Sequence, residues 1–163
     1  MDNLTRISKK ICSRLDLQKL IDNWKQNNNK IVFTNGCFDI VHRGHIDVLS
    51  KIADLGDKLI IGLNSDSSIK RIKGVDRPII DQFSRSLLLA SIEFIDAVII
   101  FENDTPIELI NSIKPDILAK GGDYEVEKIV GYNTVIKNGG KVITVPLVKG
   151  LSTTNIINYI NKI

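Results

Sequence analysis

The sequence predicts an α/β protein, a five-stranded parallel sheet with helices on both faces. Five short apolar runs (Ile31-Val32-Phe33, Lys58 to Leu63, Asp96 to Phe101, Ile117-Leu118-Ala119 and Lys141 to Val145) alternate with segments of helical periodicity. Several of these runs are apolar throughout rather than alternating, as strands covered on both faces require. Polar or glycine-bearing clusters follow the strands at Thr34 to His45, Asn64 to Asp66, Lys120 to Asp123 and Ser152 to Thr154. They are expected to converge at the carboxyl edge of the sheet, where open α/β sheets bind ligands.

At 163 residues the chain is read as one domain, 1–163, with an N-terminal helical extension over 1–29 and the α/β core over 30–163. The 43% hydrophobic and 25% charged fractions are those of an ordinary globular protein. A net charge of +3 is too small to argue for a nucleic-acid partner and suits phosphorylated small molecules. No apolar run reaches bilayer length and no signal-peptide pattern opens the chain, so a cytoplasmic protein without a membrane partner is expected. Cys12 and Cys37 make no disulfide framework.

Up to Arg14 the sequence shows only scattered basic residues with Ile7 and Ile11. Asp16 is expected to cap a helix whose face is Leu17, Leu20, Ile21 and Trp24, ended by Asn27-Asn28-Asn29. The first strand, Ile31 to Phe33, runs into the turn Thr34 to His45, and a helix is expected from Ile46 to Leu55. After the turn Gly56-Asp57 comes the second strand, and Ser65 or Asp66 can cap a short helix. Lys70 to Pro78 reads either as a solvated surface loop or as a flexible basic arm that brings Lys73 and Arg77 onto phosphates, and Arg85 opens the next helix. The third strand precedes a helix begun by Thr105-Pro106 and stopped by Pro115. The fourth leads to Lys120-Gly121-Gly122-Asp123-Tyr124, whose glycines let a ligand approach the backbone. A short helix from Gly131 to Asn138 ends at Gly139-Gly140, and beyond the fifth strand Ser152-Thr153-Thr154 starts a helix bearing Ile156, Ile157 and Ile160.

Chemistry concentrates in the first turn. The chain's two histidines, His42 and His45, both lie there with Asp39, Gly36 and Gly44, at a strand end before a helix whose free N–H groups favour an anion. A purely structural pair of histidines and a metal site on Asp39, His42 and His45 are the competing readings. Cys37 reads as a small side chain under the turn rather than a nucleophile. The chain has neither GxxxxGK[ST] nor GxGxxG, which disfavours nucleotide binding by those devices.

His42-Arg43-Gly44-His45 resembles the HxGH signature of the nucleotidylyltransferase superfamily. Ser152-Thr153-Thr154 resembles its (I/C)STT motif, with Leu151 where Ile or Cys is usual. Asn64-Ser65-Asp66 is similar to the family's strand-end segment. Lys120 to Tyr124 and Lys73 to Pro78 resemble the heptose 1-phosphate adenylyltransferase branch. The glycerol-3-phosphate cytidylyltransferase branch usually carries an Arg before STT, where this chain has Pro146-Leu147-Val148-Lys149. The resemblance spans Ile31 to Ile160. It implies a Rossmann-like fold, a homodimer, and a stand-alone domain without the sugar kinase to which such domains are often fused.

The reaction implied is transfer of AMP from ATP, accompanied by Mg²⁺, to a heptose 1-phosphate, giving ADP-heptose for lipopolysaccharide core or related glycan synthesis. By resemblance His42, His45, Lys73, Ser152 and Thr153 are the catalytic set, acting on the ATP phosphates. Thr34, Asn35, Gly36, Phe38, Asp39, Gly44, Lys120, Gly121, Asp123 and Thr154 complete the nucleotide site. Asp39, Asn64, Arg77, Arg85 and Gly122 line the sugar-phosphate side. No residue is assigned as a metal ligand, although Asp39 is placed near Mg²⁺. A cytidylyltransferase for glycerol 3-phosphate or another small phosphate, and a catalytically silent nucleotide-binding module, are the alternatives.

Overall fold

The computed structural model describes residues 2–148, 150–160 and 162. Lys149, named above beside the STT motif, lies outside them. Five parallel strands form one sheet in the order β3-β2-β1-β4-β5: β1 Ile31–Gly36, β2 Lys58–Asn64, β3 Ala97–Phe101, β4 Ile117–Gly121 and β5 Lys141–Val145. Because side chains alternate across a strand, Phe33, Ile60, Ile99 and Leu118 face one side, where they pack on Leu17, Ile21 and Trp24 of α2 (Arg14–Gln26), Leu109 and Ile113 of α6 (Ile107–Ile113) and Val135 of α7 (Tyr132–Lys137). Val32, Ile61, Val98 and Ala119 face the other, against Leu49 and Ile52 of α3 (Arg43–Ala53) and Leu89 and Ala90 of α5 (Gln82–Ala90). Burial on both faces explains the unbroken apolar strands.

The N-terminal extension differs from the expectation. Residues Asn3–Ser8 form α1, capped by Asp2, with no buried side chain and so no apolar stripe to betray it. Beyond α1, Cys12 N–H donates to the Val98 carbonyl at 2.8 Å and Val98 N–H to Lys10 at 2.8 Å, which covers the free edge of β3. Ser13, not Asp16, caps α2: its hydroxyl accepts from Asp16 N–H. Pro106 stands at the N-cap position of α6, and a 3-10 turn at Val126–Lys128 was not anticipated.

Two boundaries matter for function. Helix α3 begins at Arg43 with His42 as its N-cap, three residues before the expected start, so the histidines belong to a helix terminus rather than a turn. Helix α4 (Asp66–Lys73), capped by Ser65, absorbs the first part of the expected basic loop and places Lys73 in a helical last turn. Helix α8 (Thr153–Ile160) starts at the STT stretch, and none of its side chains is buried.

Arg85 corrects another expectation. It sits in the second turn of α5 and is 0% exposed. Its guanidinium donates to the carbonyls of Ile80 (2.9 Å), Cys37 (2.5 Å) and Asn64 (2.9 Å) and to the Asp66 carboxylate (2.7 Å). One side chain thus ties the ends of β1 and β2 to α4 and α5. This burial, with four of its five N–H donors bonded within the protein, fits a structural tie rather than the expected substrate contact. Asn64 is part of the same interior: its amide donates to Ser68 Oγ at 3.0 Å. Arg85→Ala should destabilise the fold by about 3–5 kcal/mol in urea denaturation, since it removes a fully buried cation that three carbonyls and the half-buried Asp66 carboxylate share. Arg85→Lys should recover only part, because an ammonium cannot span the four acceptors.

Candidate active site

Strand β2 follows β1 as far as Gly36, whereas β4 pairs with β1 only at Val32 and Phe33. The gap beyond is the switch point of the sheet, the usual ligand site of such folds. A cavity of about 340 Å³ opens there. Its floor is the β1 end, Thr34 to Asp39, with Lys120 and Gly121 from β4. One wall carries His42, Gly44 and His45 of α3 with Lys73 of α4, and another Ser152, Thr153 and Thr154 of α8.

The two histidines form a reciprocal cap. His42 Nδ1 accepts from Gly44 N–H at 3.1 Å, and His45 Nδ1 accepts from His42 N–H at 3.4 Å. Each neutral ring therefore keeps its proton on Nε2, which remains a free donor. The rings lie 4.0 Å apart, and Phe38 packs edge-on against His45 at 5.4 Å. A Cβ on Gly44 would lie 3.0 Å from His42 Nδ1 and 3.1 Å from Leu151 Cβ, so glycine is what lets the ring and the α8 approach close on the helix end. Burial lowers the His42 pKa. Burial, then the His42 and Lys73 charges, lower that of His45 to about 4.

The second helix terminus is built similarly. Ser152 Oγ accepts from Asn155 N–H at 3.0 Å, and Thr153 Oγ1 reaches the Ile40 carbonyl at 3.5 Å, joining α8 to the loop before α3. Two positive dipole ends and the Lys73 ammonium therefore surround one cavity, an arrangement that favours a polyanion.

Other assignments fall outside the cavity lining. Arg77, Asn64, Gly122 and Asp123 do not contribute to it, in addition to Arg85. Arg77 instead pairs with Asp39 at 2.6 Å, and Asp39 also accepts from the N–H groups of Ile79 (2.8 Å) and Ile80 (3.0 Å). Asp39 does line the cavity, but its carboxylate clamps the loop after α4. The trio Asp39, His42 and His45 therefore does not assemble, and no metal-ligating cluster of three occurs among the described residues. The apolar lining from Val48, Tyr124, Leu147 and Leu151 was not singled out as a wall. Only Gly121, whose Cβ would meet Val48 at 2.8 Å and Leu147 at 3.0 Å, hinted at the close packing there.

A cavity that gathers anion donors around neutral imidazoles, at a switch point of a parallel sheet, suits transfer of a nucleotidyl group between phosphates, and the chain is a nucleotidyltransferase. It belongs to the cytidylyltransferase-like family, whose model matches residues 33–159. It is 52% identical over 151 residues to the bifunctional protein HldE of Pelobacter propionicus, covering 93% of this chain and 31% of that protein. It is 51% identical to the bifunctional protein HldE of Campylobacter jejuni subsp. jejuni, covering 97% of this chain and 33% of that protein. The chain thus spans about a third of the length of the curated relatives it matches. The crystal structure of a lipopolysaccharide core biosynthesis protein from Thermoplasma volcanium superposes with a TM-score of 0.61 at 30% identity, covering 74% of this chain and 98% of that one. No helix among the described residues is long and apolar enough to cross a membrane.

The lowered histidine pKa values have two measurable consequences. A folded His45 that titrates near 4 binds fewer protons than the unfolded chain, whose imidazole titrates near 6.5. Its contribution to stability is complete above pH 6.5 and is lost as the pH falls towards 4, so His45→Gln should flatten the denaturation midpoint across that window. A bound polyphosphate should raise both pKa values, so titration calorimetry at pH 5.5 in buffers of different ionisation enthalpy should show proton uptake with tripolyphosphate. That uptake should shrink in His45→Gln.

Proposed function

We propose that the chain transfers AMP from ATP to a heptose 1-phosphate, releasing pyrophosphate and forming an ADP-heptose used in lipopolysaccharide core or related glycan synthesis. The observation that carries the transfer chemistry is the reciprocal histidine cap at the start of α3, facing the hydroxyl-bearing start of α8 across the cavity. The sugar is supported by the relatives named HldE and by the named role of the Thermoplasma volcanium protein. The attacking oxygen belongs to a phosphate that is already an anion, so no general base is required. Catalysis then consists of positioning and of stabilising charge on the α-phosphate and the leaving pyrophosphate.

His42 and His45 donate through Nε2–H to phosphate oxygens, which gain charge in the transition state. Ser152, Thr153 and the α8 terminus receive the outer phosphates, and Lys73 adds a compact positive charge from the end of α4. Among the described residues one carboxylate lines the cavity, that of Asp39, held by Arg77 and two backbone amides. Mg²⁺ therefore suits this cavity as an ion carried on the ATP phosphates, neutralising their charge, rather than one seated on carboxylate ligands. Gly121, Tyr124 and Leu147 form the less polar end, suited to the base. A homodimer and a cytoplasmic location complete the proposal.

Pyrophosphate release from four nucleoside triphosphates, each with heptose 1-phosphates, other sugar phosphates and glycerol 3-phosphate, tests the substrates. ATP with a heptose 1-phosphate should be the fastest pair; faster turnover of CTP with glycerol 3-phosphate would overturn the sugar and base assignments while leaving nucleotidyl transfer intact. His42→Ala and His45→Ala should each lower kcat about a hundredfold or more, with a much smaller change in ATP affinity. Lys73→Ala should impair turnover while leaving the melting temperature nearly unchanged.

A further inference from the structure

Lys120 is a half-buried cation at the end of β4. It projects from β4 into the gap where β4 has parted from β1, and it forms no ion pair among the described residues. Its ammonium donates to the Asn35 backbone carbonyl at 3.0 Å and to Asn35 Oδ1 at 2.5 Å. Burial lowers its pKa to about 8, which leaves it protonated at neutral pH and therefore a donor only. The ammonium thus replaces, across the gap, the hydrogen bonds that the ladder no longer makes.

The consequence falls on Asn35. An ammonium cannot accept, so Oδ1 must face Lys120 and the NH₂ must point away from it. No hydrogen bond to that NH₂ occurs among the described residues, yet none of their buried side-chain nitrogen or oxygen atoms lacks a partner. The NH₂ is therefore accessible, and Asn35 lines the cavity. We propose that Lys120 is a positioning residue: by holding Asn35 at two oxygens it fixes the amide so that its NH₂ donates to an oxygen of the bound nucleotide. The proposal rests on the nucleotidyl-transfer reading and adds to it a donor from β1, oriented by a residue of β4, beside those at the helix termini. Without Lys120 the amide would rotate, and its carbonyl would repel phosphate oxygens as readily as its NH₂ attracts them.

A double-mutant cycle on the full chain separates this arrangement from a direct contact between Lys120 and nucleotide. ATP affinity is read by calorimetry, and kcat and KM by pyrophosphate release with ATP and a heptose 1-phosphate. Lys120→Met and Asn35→Ala should each weaken ATP binding about ten- to hundredfold, the scale for losing a hydrogen bond to a charged group. The double variant should be no more than about threefold worse than the worse single one, because both changes remove the same donor. Asn35→Asp keeps a partner for Lys120 and thus the fold. It should lose as much affinity as Asn35→Ala, since a carboxylate has no NH₂. Additive losses in the double variant, wild-type affinity in Lys120→Met, or wild-type affinity in Asn35→Asp would each overturn the proposal. Wild-type protein that binds ATP but turns over no sugar phosphate would refute the sugar assignment alone and leave the affinity cycle decisive.

Discussion

The geometry of the active site depends on one buried guanidinium. The carboxyl ends of parallel strands leave carbonyl groups that no ladder satisfies, and a ligand site at those ends has to keep them from fluctuating. Arg85 meets two such carbonyls, at Cys37 and Asn64, adds that of Ile80 in the loop before α5, and closes the set on Asp66. Its planar array of donors suits acceptors that diverge from one point. Asp39 works beside it from β1's exit loop, gripping Arg77 and the amides of Ile79 and Ile80. Through these contacts the loop from α4 to α5 is fixed against the segment that leads to His42.

On that frame the electrostatics are built mostly from neutral groups. Two helix termini supply partial positive charge, and two imidazoles supply N–H donors without carrying a full charge before a ligand arrives. Desolvation keeps His45 neutral, and the reciprocal cap with His42 decides which nitrogen of each ring holds the proton. An anionic ligand meets donors already oriented for it, so little reorganisation is needed when charge develops. Lys73 and Lys120 are the cations among the described lining residues, placed at its wall and its floor.

The fold was legible because the two apolar faces of the sheet leave an unambiguous trace. The strand run of β5 at Lys141 to Val145 coincides with the observed one, and the second and third strands differ by one residue at an end. Elements without a buried face, such as α1, leave no such trace. The histidine cap was placed in a turn because imidazole is a less familiar cap than a hydroxyl or carboxylate, so the helix start was sought at the first apolar residue, Ile46. The reassignment of Arg85, Arg77 and Asn64 has a common reason. Basic and amide side chains look alike in sequence whether they face a ligand or another group of the protein, and only the path of the chain distinguishes the two.

The amino-acid sequence by itself therefore determined the layered α/β architecture and the strand ends at which polar residues gather, because these follow from periodicity and local spacing, while HxGH and STT were legible through resemblance to a known family. The tertiary structure decided which of the gathered residues look into the cavity. Thr34 to Asp39, His42, His45, Lys73, Lys120 and Ser152 to Thr154 reach it, while Arg77 turns to the Asp39 carboxylate and Arg85 to backbone carbonyls and Asp66. That choice depends on where β4 parts from β1 and on which donors the exposed strand ends require, quantities set by contacts between residues as far apart in sequence as Asn35 and Lys120.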